Sequence, residues 1–232
     1  MSVRAHLTLH PLTLHPRALE VPVNELVVAG WTGRDQAAIE AHVREMKEWG
    51  VAGPTQTPMY YRVAASLLTT ADEIEVIGRE SSGEAEFLLF NLDGAILVGA
   101  GSDHTDRKAE SMGITLAKQM CAKVAARDVW LFSEVEGHWD DLMIRSWATI
   151  DGERVLYQEG KVSVMRHPRE LIELYRERTG LEFGPGFAMY GGTFAAIGGI
   201  RWAEEFEFVL EDPVLHRSIA HRYTMKSLPV EG

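Results

Sequence analysis

GEAEFLLFNLDGAILVGAGSD (83–103) holds two apolar runs separated by Leu92-Asp93-Gly94, a turn signal, and so reads as two successive strands. Working outward, ADEIEVIG (71–78) adds a short strand before them. VPVNELVVAG (21–30) alternates and then runs apolar into a glycine, as a strand leading into a loop does. DLMIRSWATI (141–150) and ERVLYQEG (153–160) flank Asp151-Gly152, a pair of residues suited to the left-handed backbone of a tight hairpin. EEFEFVLED (204–212) and HRSIAHRYTM (216–225) form a last strand pair, after the glycine-rich GPGFAMYGGTFAAIGG (184–199). Two helices interrupt this pattern. One runs from Asp35 to Gly50, with Ile39, Val43, Met46 and Trp49 at helical spacing; the other is PRELIELYRERTG (168–180), closed by Gly180. The expectation is a mainly β (α+β) fold. Residues 1–30 form an N-terminal strand segment packed on a main domain of residues 31–232, and no polar linker between 30 and 225 divides the chain further.

Composition narrows the function. With 232 residues the chain can remove roughly 70 % of its unfolded surface from water, so a real core is available. Lysine plus arginine number 23 against 34 aspartate plus glutamate, a net charge of −11, which argues against a nucleic-acid or anionic-membrane partner and for a small molecule. The single cysteine, Cys121, excludes an intrachain disulfide, and the opening MSVRAHLTLHPLTLHP lacks the uninterrupted apolar core of a signal peptide; both point to the cytoplasm. No run approaches the 18 or so apolar residues of a membrane helix.

The chemistry begins with Glu84 and Glu86. Two apart on a strand, they share a face about 7 Å apart along the chain, and carboxylates partly buried together must raise a pKa or bind a cation. Alone they would equally be a solvent-facing acidic pair. Asp103, at the end of the next strand, offers a third carboxylate, and three together suit a hard divalent ion, Mg²⁺ or Mn²⁺, with positions left for water and a chelating substrate. His104 and Asp106 are alternative ligands, but imidazole would favour zinc or iron, and Asp106 fits the first turn of a helix equally well. Lys118 in TLAKQM (115–120) either snorkels to solvent or, beside the ion, stabilises developing negative charge. In YGGTF (190–194) the glycines let backbone approach a ligand, and Gly192 and Thr193 can supply an amide and a hydroxyl to a carboxylate. In HVREM (42–46), His42 and Glu45 are three apart on one helical face. An imidazole of ordinary pKa there is suited to general-base work, while a histidine at the core margin beside a solvated glutamate fits the same pattern.

Taken in order, these segments resemble the fumarylacetoacetate hydrolase family, whose members cleave, decarboxylate, hydrate or isomerise 2-oxo acids at a divalent metal. HVREM resembles its H-x-x-E, GEAEF its E-x-E, SDHTDRK its N-D-x-S-A-R-D, and TLAKQM its lysine segment. ERVLYQEG resembles its Q-x-G hairpin, and GFAMYGGTF its G-D-x-I-x-T-G-T-P turn. The whole chain is most similar to a bacterial group within or beside that family, DUF2848. The resemblance implies a mixed β-sandwich roll, often a homodimer, with Glu84, Glu86 and Asp103 holding Mg²⁺ or Mn²⁺ and with Lys118 and Thr193 contacting substrate. Arg62 stands where many relatives have lysine, suited to a carboxylate, and Arg107 is a further lining candidate. The resemblance implies that His42 with Glu45 activates a water that attacks a carbonyl, breaking a carbon–carbon bond in a dioxo acid such as an acylpyruvate. Metal and Lys118 hold the resulting enolate. Decarboxylase, hydratase or isomerase chemistry stays open beside this hydrolase, as does a silent metal- or ligand-binding protein. The chain departs from the family pattern at Ser102, Lys108, Gly191 and Phe194, and by a shorter gap between Glu86 and Asp103.

Overall fold

In the computed structural model, residues 2–37, 39–40, 44 and 53–231 are described. Among them, a 10-stranded sheet runs in the order Arg17–Val23, Val3–Leu9, Asp128–Leu131, Ala95–Asp103, Ala85–Leu92, Phe187–Tyr190, Glu25–Gly30, Met59–Val63, with Lys123–Ala125 and Leu68–Thr69 attached beside Ala95–Asp103. A 5-stranded sheet follows the order Glu153–Lys161, Met143–Ile150, Glu205–Asp212, Arg217–Leu228, Glu73–Ile77. Ser81–Ser82 and Thr105–Asp106 form a small ladder of their own.

The two runs of the 83–103 stretch pair as a tight antiparallel hairpin, Ala85 opposite Ser102 through Leu92 opposite Ala95. Asp93 and Gly94 turn it at φ of 51° and 90°, left-handed values that Asp and Gly accept most readily. This hairpin lies at the centre because both of its faces find apolar partners. Phe87, Leu89, Val98 and Ala100 pack against Ile144, Phe206, Phe208 and Tyr223 of the smaller sheet. Leu88, Phe90 and Leu97 lie in a second core with Val28, Tyr61, Val63 and Tyr190, which the larger sheet curls around with Leu7, Leu9 and Val21. A strand buried on both faces needs a continuous apolar run, and 87–90 is one.

Several expected elements form where the sequence places them. Asp151 and Gly152, at φ of 51° and 80°, close the Met143–Ile150 and Glu153–Lys161 hairpin, and Gly180 ends the helix Pro168–Thr179 at φ 71°. Others differ. The stretch 21–30 is two strands, broken by a bend at Asn24, and Glu25–Gly30 lies inside the large sheet between Phe187–Tyr190 and Met59–Val63. The glycine-rich region contains Phe187–Tyr190, a fully buried strand that joins Glu25–Gly30 in parallel to Ala85–Leu92 antiparallel. Of the helix expected over 35–50, residues 36–37, 39–40 and 44 are helical, while His42, Val43, Glu45, Met46 and Trp49 lie outside the described residues. Among the described residues no helix is long and apolar enough to cross a membrane.

Candidate metal centre

Strand register brings the three expected carboxylates together. Glu84 accepts at its carbonyl from Asp103 N–H (3.0 Å), so the two residues face each other across the hairpin, and Glu86 is two positions along on the same face. Opposite Glu86 stands Gly101, where a Cβ would come within 2.6 Å of the Tyr190 ring and 2.7 Å of the Val124 carbonyl. The close approach of three strands therefore admits no side chain there. One oxygen from each of Glu84, Glu86 and Asp103 lies within 4.8 Å of the others. Asp103 is fully buried, Glu86 nearly so, and the Glu84 side chain is 17 % exposed.

Cations gather on two of the three. Lys118, on the helix Ile114–Met120, donates to Asp103 Oδ2 in a very short contact and to Glu84 Oε2 at 3.2 Å. Arg107 reaches Glu84 Oε1 at 3.1 Å while donating to Ser82 Oγ (2.7 Å) and Glu110 Oε2 (3.0 Å). Burial alone would raise the Glu84 pKa, but the Arg107 and Lys118 charges outweigh it and hold the carboxyl below the usual range. Lys118 is the mirror case: burial favours its neutral form, yet Asp103 and Glu84 keep it an ammonium well past its ordinary value. Among the described residues no cation pairs with Glu86 directly, and the more distant Lys118 charge offsets only part of its burial. Its Oε2 accepts from Gly192 N–H (2.7 Å), and burial, reinforced by the Asp103 and Glu84 charges, pushes its pKa well above that of a free carboxylate. Three hard oxygens, one of them short of positive charge, match what an oxygen-seeking divalent ion supplies, so the donor set fits.

The remaining expected residues divide. Gly192 reaches the centre through its amide, at φ 107° and with Thr32 Oγ1 only 1.9 Å from where a Cβ would stand, so only glycine fits. Thr193 sits beside it, but its hydroxyl donates to the Ala85 carbonyl (2.8 Å) and accepts from Gln158 Nε2 (2.8 Å), so its proton is committed to the scaffold rather than free for a substrate. Arg107 is brought to the cluster through its ion pair with Glu84. Arg62 is not brought to the centre: it pairs with Val27, whose side chain packs in the inter-sheet core, and it bonds Glu25 Oε2 at 2.6 Å, whereas its neighbour Tyr61 lies in the core on the carboxylate side. Strand alternation puts successive residues on opposite faces, so the family position of the basic group does not reach the carboxylates here. His42 and Glu45 fall outside the described residues.

His104 and Asp106 do not join the carboxylate cluster. His104 is fully buried and hydrogen-bonds through Nδ1 with the Tyr223 hydroxyl and through Nε2 with Ser81 Oγ, both 2.9 Å. Burial, with Lys123 and Arg107 nearby, depresses its pKa to about 3. Asp106 caps the short helix that begins at Arg107 by accepting from Ala109 N–H (2.8 Å). Sequence reasoning missed Lys123, fully buried, with Nζ 2.6 Å from the His104 carbonyl and 2.7 Å from Asp103 Oδ1. The second contact is close but poorly directed, an ion pair rather than an aligned hydrogen bond, which leaves Asp103 Oδ1 without a directed donor. A lysine set in apolar CAKVAA was the available signal, the same one that marked Lys118.

The sequence from 29 to 223 matches the family model DUF2848, described as a protein family of unknown function. The chain belongs to the DUF2848 family. No curated protein matches it in sequence. In three dimensions this DUF2848 member has the fold of the fumarylacetoacetate hydrolase superfamily. A fumarylacetoacetate hydrolase family protein from Yersinia pestis CO92 superposes with a TM-score of 0.60 at 17 % identity, over 89 % of this chain and 95 % of that one. A 2-keto-3-deoxy-D-arabinonate dehydratase, complexed with magnesium and 2,5-dioxopentanoate, gives 0.64 at 13 % identity over 92 % and 77 %. The 4-oxalocrotonate decarboxylase of Pseudomonas putida G7, complexed with magnesium and adipate, gives 0.55 at 17 % over 86 % and 77 %.

Proposed function

We propose that this DUF2848 member is a divalent-cation-dependent enzyme of small 2-oxo acids, and that its reaction is hydrolytic cleavage of a carbon–carbon bond in a dioxo acid such as an acylpyruvate. The observation that carries the reading is the convergence of one oxygen each of Glu84, Glu86 and Asp103 within 4.8 Å, in a buried setting where no cation among the described residues pairs with Glu86. These three would hold the ion, Mg²⁺ or Mn²⁺. When bound, such an ion supplies Lewis-acid attraction for a 2-oxo carboxylate and for negative charge growing on the adjacent oxygen.

The chain's own groups have separate roles. Lys118 stays an ammonium at neutral pH, so it serves as a fixed positive charge and proton donor rather than as a base. The Gly192 amide orients Glu86, Gln158 locks Thr193, and Arg107 orients Glu84. Water activation falls to His42, oriented by Glu45, in the hydrolytic reading.

A second reading, decarboxylase, hydratase or isomerase of a 2-oxo acid, is favoured by one observation: the groups it needs, three carboxylates and Lys118, are all assembled among the described residues. The structural neighbours include a decarboxylase and a dehydratase, both complexed with magnesium. Protein stripped with a chelator and reloaded with Mg²⁺ or Mn²⁺ is tested on acylpyruvates and oxaloacetate. Acyl cleavage lost in His42→Ala is the expected result. Release of CO₂ that survives His42→Ala favours the second reading, and ligand binding without turnover leaves a binding protein. The reading also takes the enzyme to be a cytoplasmic homodimer, which sedimentation equilibrium checks as to assembly.

A further inference from the structure

Asp103 is gripped from two sides by two ammoniums, and the two are not alike. Lys118 holds Oδ2 from the margin of the centre, where its side chain keeps 8 % exposure and also touches Glu84. Lys123 holds Oδ1 from the interior, with no exposure at all. Lys123 stands directly across from Asp103 in the antiparallel ladder, and its second contact is the His104 carbonyl, which strand geometry fixes. A fully buried ammonium cannot leave its partners without a large desolvation cost, so Lys123 stays ion-paired with Oδ1 although it aims no N–H at that oxygen. Oδ2 is the oxygen shared with Lys118, whose ammonium also contacts Glu84 Oε2.

We propose that Lys123 is a positioning residue that keeps Asp103 a one-oxygen ligand, and that it thereby sets the preference of the centre for a small octahedral cation, Mg²⁺ or Mn²⁺, over Ca²⁺. The inference rests on reading the carboxylate cluster as a cation centre. Ca²⁺ takes 6–8 oxygens at 2.3–2.6 Å and gains from chelation by both oxygens of a carboxylate, whereas Mg²⁺ demands near-octahedral geometry at 2.0–2.1 Å from single oxygens and water. With Oδ1 held by an ammonium, Ca²⁺ is denied the seventh or eighth oxygen that Asp103 would offer, and the smaller ions lose nothing.

The test is the ratio of two dissociation constants, measured calorimetrically on metal-free protein with MnCl₂ and CaCl₂. Loss of the Lys123 charge strengthens both dications alike and leaves the ratio unmoved; loss of the Oδ1 contact favours Ca²⁺ alone. Lys123→Met, of similar length and apolar, is expected to lower the ratio Kd(Ca²⁺)/Kd(Mn²⁺) by about tenfold, within the range that second-layer partners exert on metal affinity. Lys123→Gln, whose amide N–H can donate to Oδ1, is expected to restore most of the wild-type ratio. An unchanged ratio in a folded Lys123→Met protein overturns the inference and spares the cation centre. Wild-type protein that binds neither ion overturns both. Should Lys123→Met not fold, crystals of the unmodified protein soaked in CaCl₂ decide: contact through Oδ2 alone supports the role of Lys123, and chelation by both Asp103 oxygens overturns it.

Discussion

At Glu86 a buried carboxylate faces two like charges and receives one amide hydrogen bond. Glu86→Gln keeps the shape and an acceptor for Gly192 N–H while removing one of three mutually repelling charges. It is expected to leave the metal-free protein as stable as wild type or more so, and to weaken Mn²⁺ binding by more than about 100-fold, ~2.7 kcal/mol. Paired thermal melts and calorimetry read both, and a variant that still binds Mn²⁺ like wild type removes Glu86 from the centre. Gly192→Ala acts through the backbone. At φ 107°, with Thr32 Oγ1 in the way of the new methyl, the turn must shift, which is expected to lower stability by about 1–3 kcal/mol and to draw the amide off Glu86. A Tm within 1 °C of wild type would contradict this. The carboxylates were legible residue by residue because strand periodicity alone places Glu84 and Glu86 together. Lys123 was not, nor was the pairing of Arg107 with Glu84, since the charge a side chain meets depends on strands and helices distant in sequence.

At the scale of elements, Gln158 joins three pieces of chain. Its Oε1 accepts from Ala85 N–H and Ser146 Oγ, both at 3.0 Å, and its Nε2 donates to Thr193 Oγ1 (2.8 Å) and the Phe194 carbonyl (2.7 Å). The hairpin strand Glu153–Lys161 thus fixes both the start of Ala85–Leu92 and the glycine turn. Gln158→Leu would leave several buried polar groups unpaired and is expected to cost about 3 kcal/mol in urea unfolding. A loss under 1 kcal/mol would mean that water or backbone replaces these bonds. The hairpins could be read from Asp93-Gly94 and Asp151-Gly152 because tight turns are local. Phe187–Tyr190 could not: four apolar residues amid glycines carry no period, and their strand state comes from filling the gap between Glu25–Gly30 and Ala85–Leu92.

For the molecule as a whole, a ligand that binds only the folded state stabilises it by mass action. Mn²⁺ at 100 times its dissociation constant adds about 2.7 kcal/mol, or roughly 5–10 °C in Tm for a chain of this size, reversed by chelator and absent in Glu86→Gln. A melt indifferent to both Mn²⁺ and chelator would count against the cation centre. Stability should also depend on pH through His221 on the strand Arg217–Leu228, whose Nε2–H donates to the Ala71 carbonyl at 3.1 Å. Burial chiefly, with Arg127 adding, holds its pKa below the ordinary value against the pull of the Ala71 carbonyl and Asp72. The unfolded chain therefore takes up a proton near pH 6.5 that the folded one refuses, so this stability is full above about 6.5 and is lost as pH falls toward the folded value. Urea midpoints at pH 7.5 and 5 should diverge in wild type and diverge less in His221→Gln, with buried His104 supplying a remainder of the same sign.

Sequence by itself determined the hairpins, the second helix, the charge balance and the three carboxylates, since turn chemistry and periodicity act over a few residues. Tertiary structure alone decided that Arg62 faces away, that His104 is a buried hydrogen-bonded support, that the Thr193 hydroxyl is spent on the scaffold, and that Lys123 stands against Asp103. Each of these depends on which strand lies beside which and in what register, and register is settled by the burial of both faces of a shared sheet, a property no short window of sequence contains.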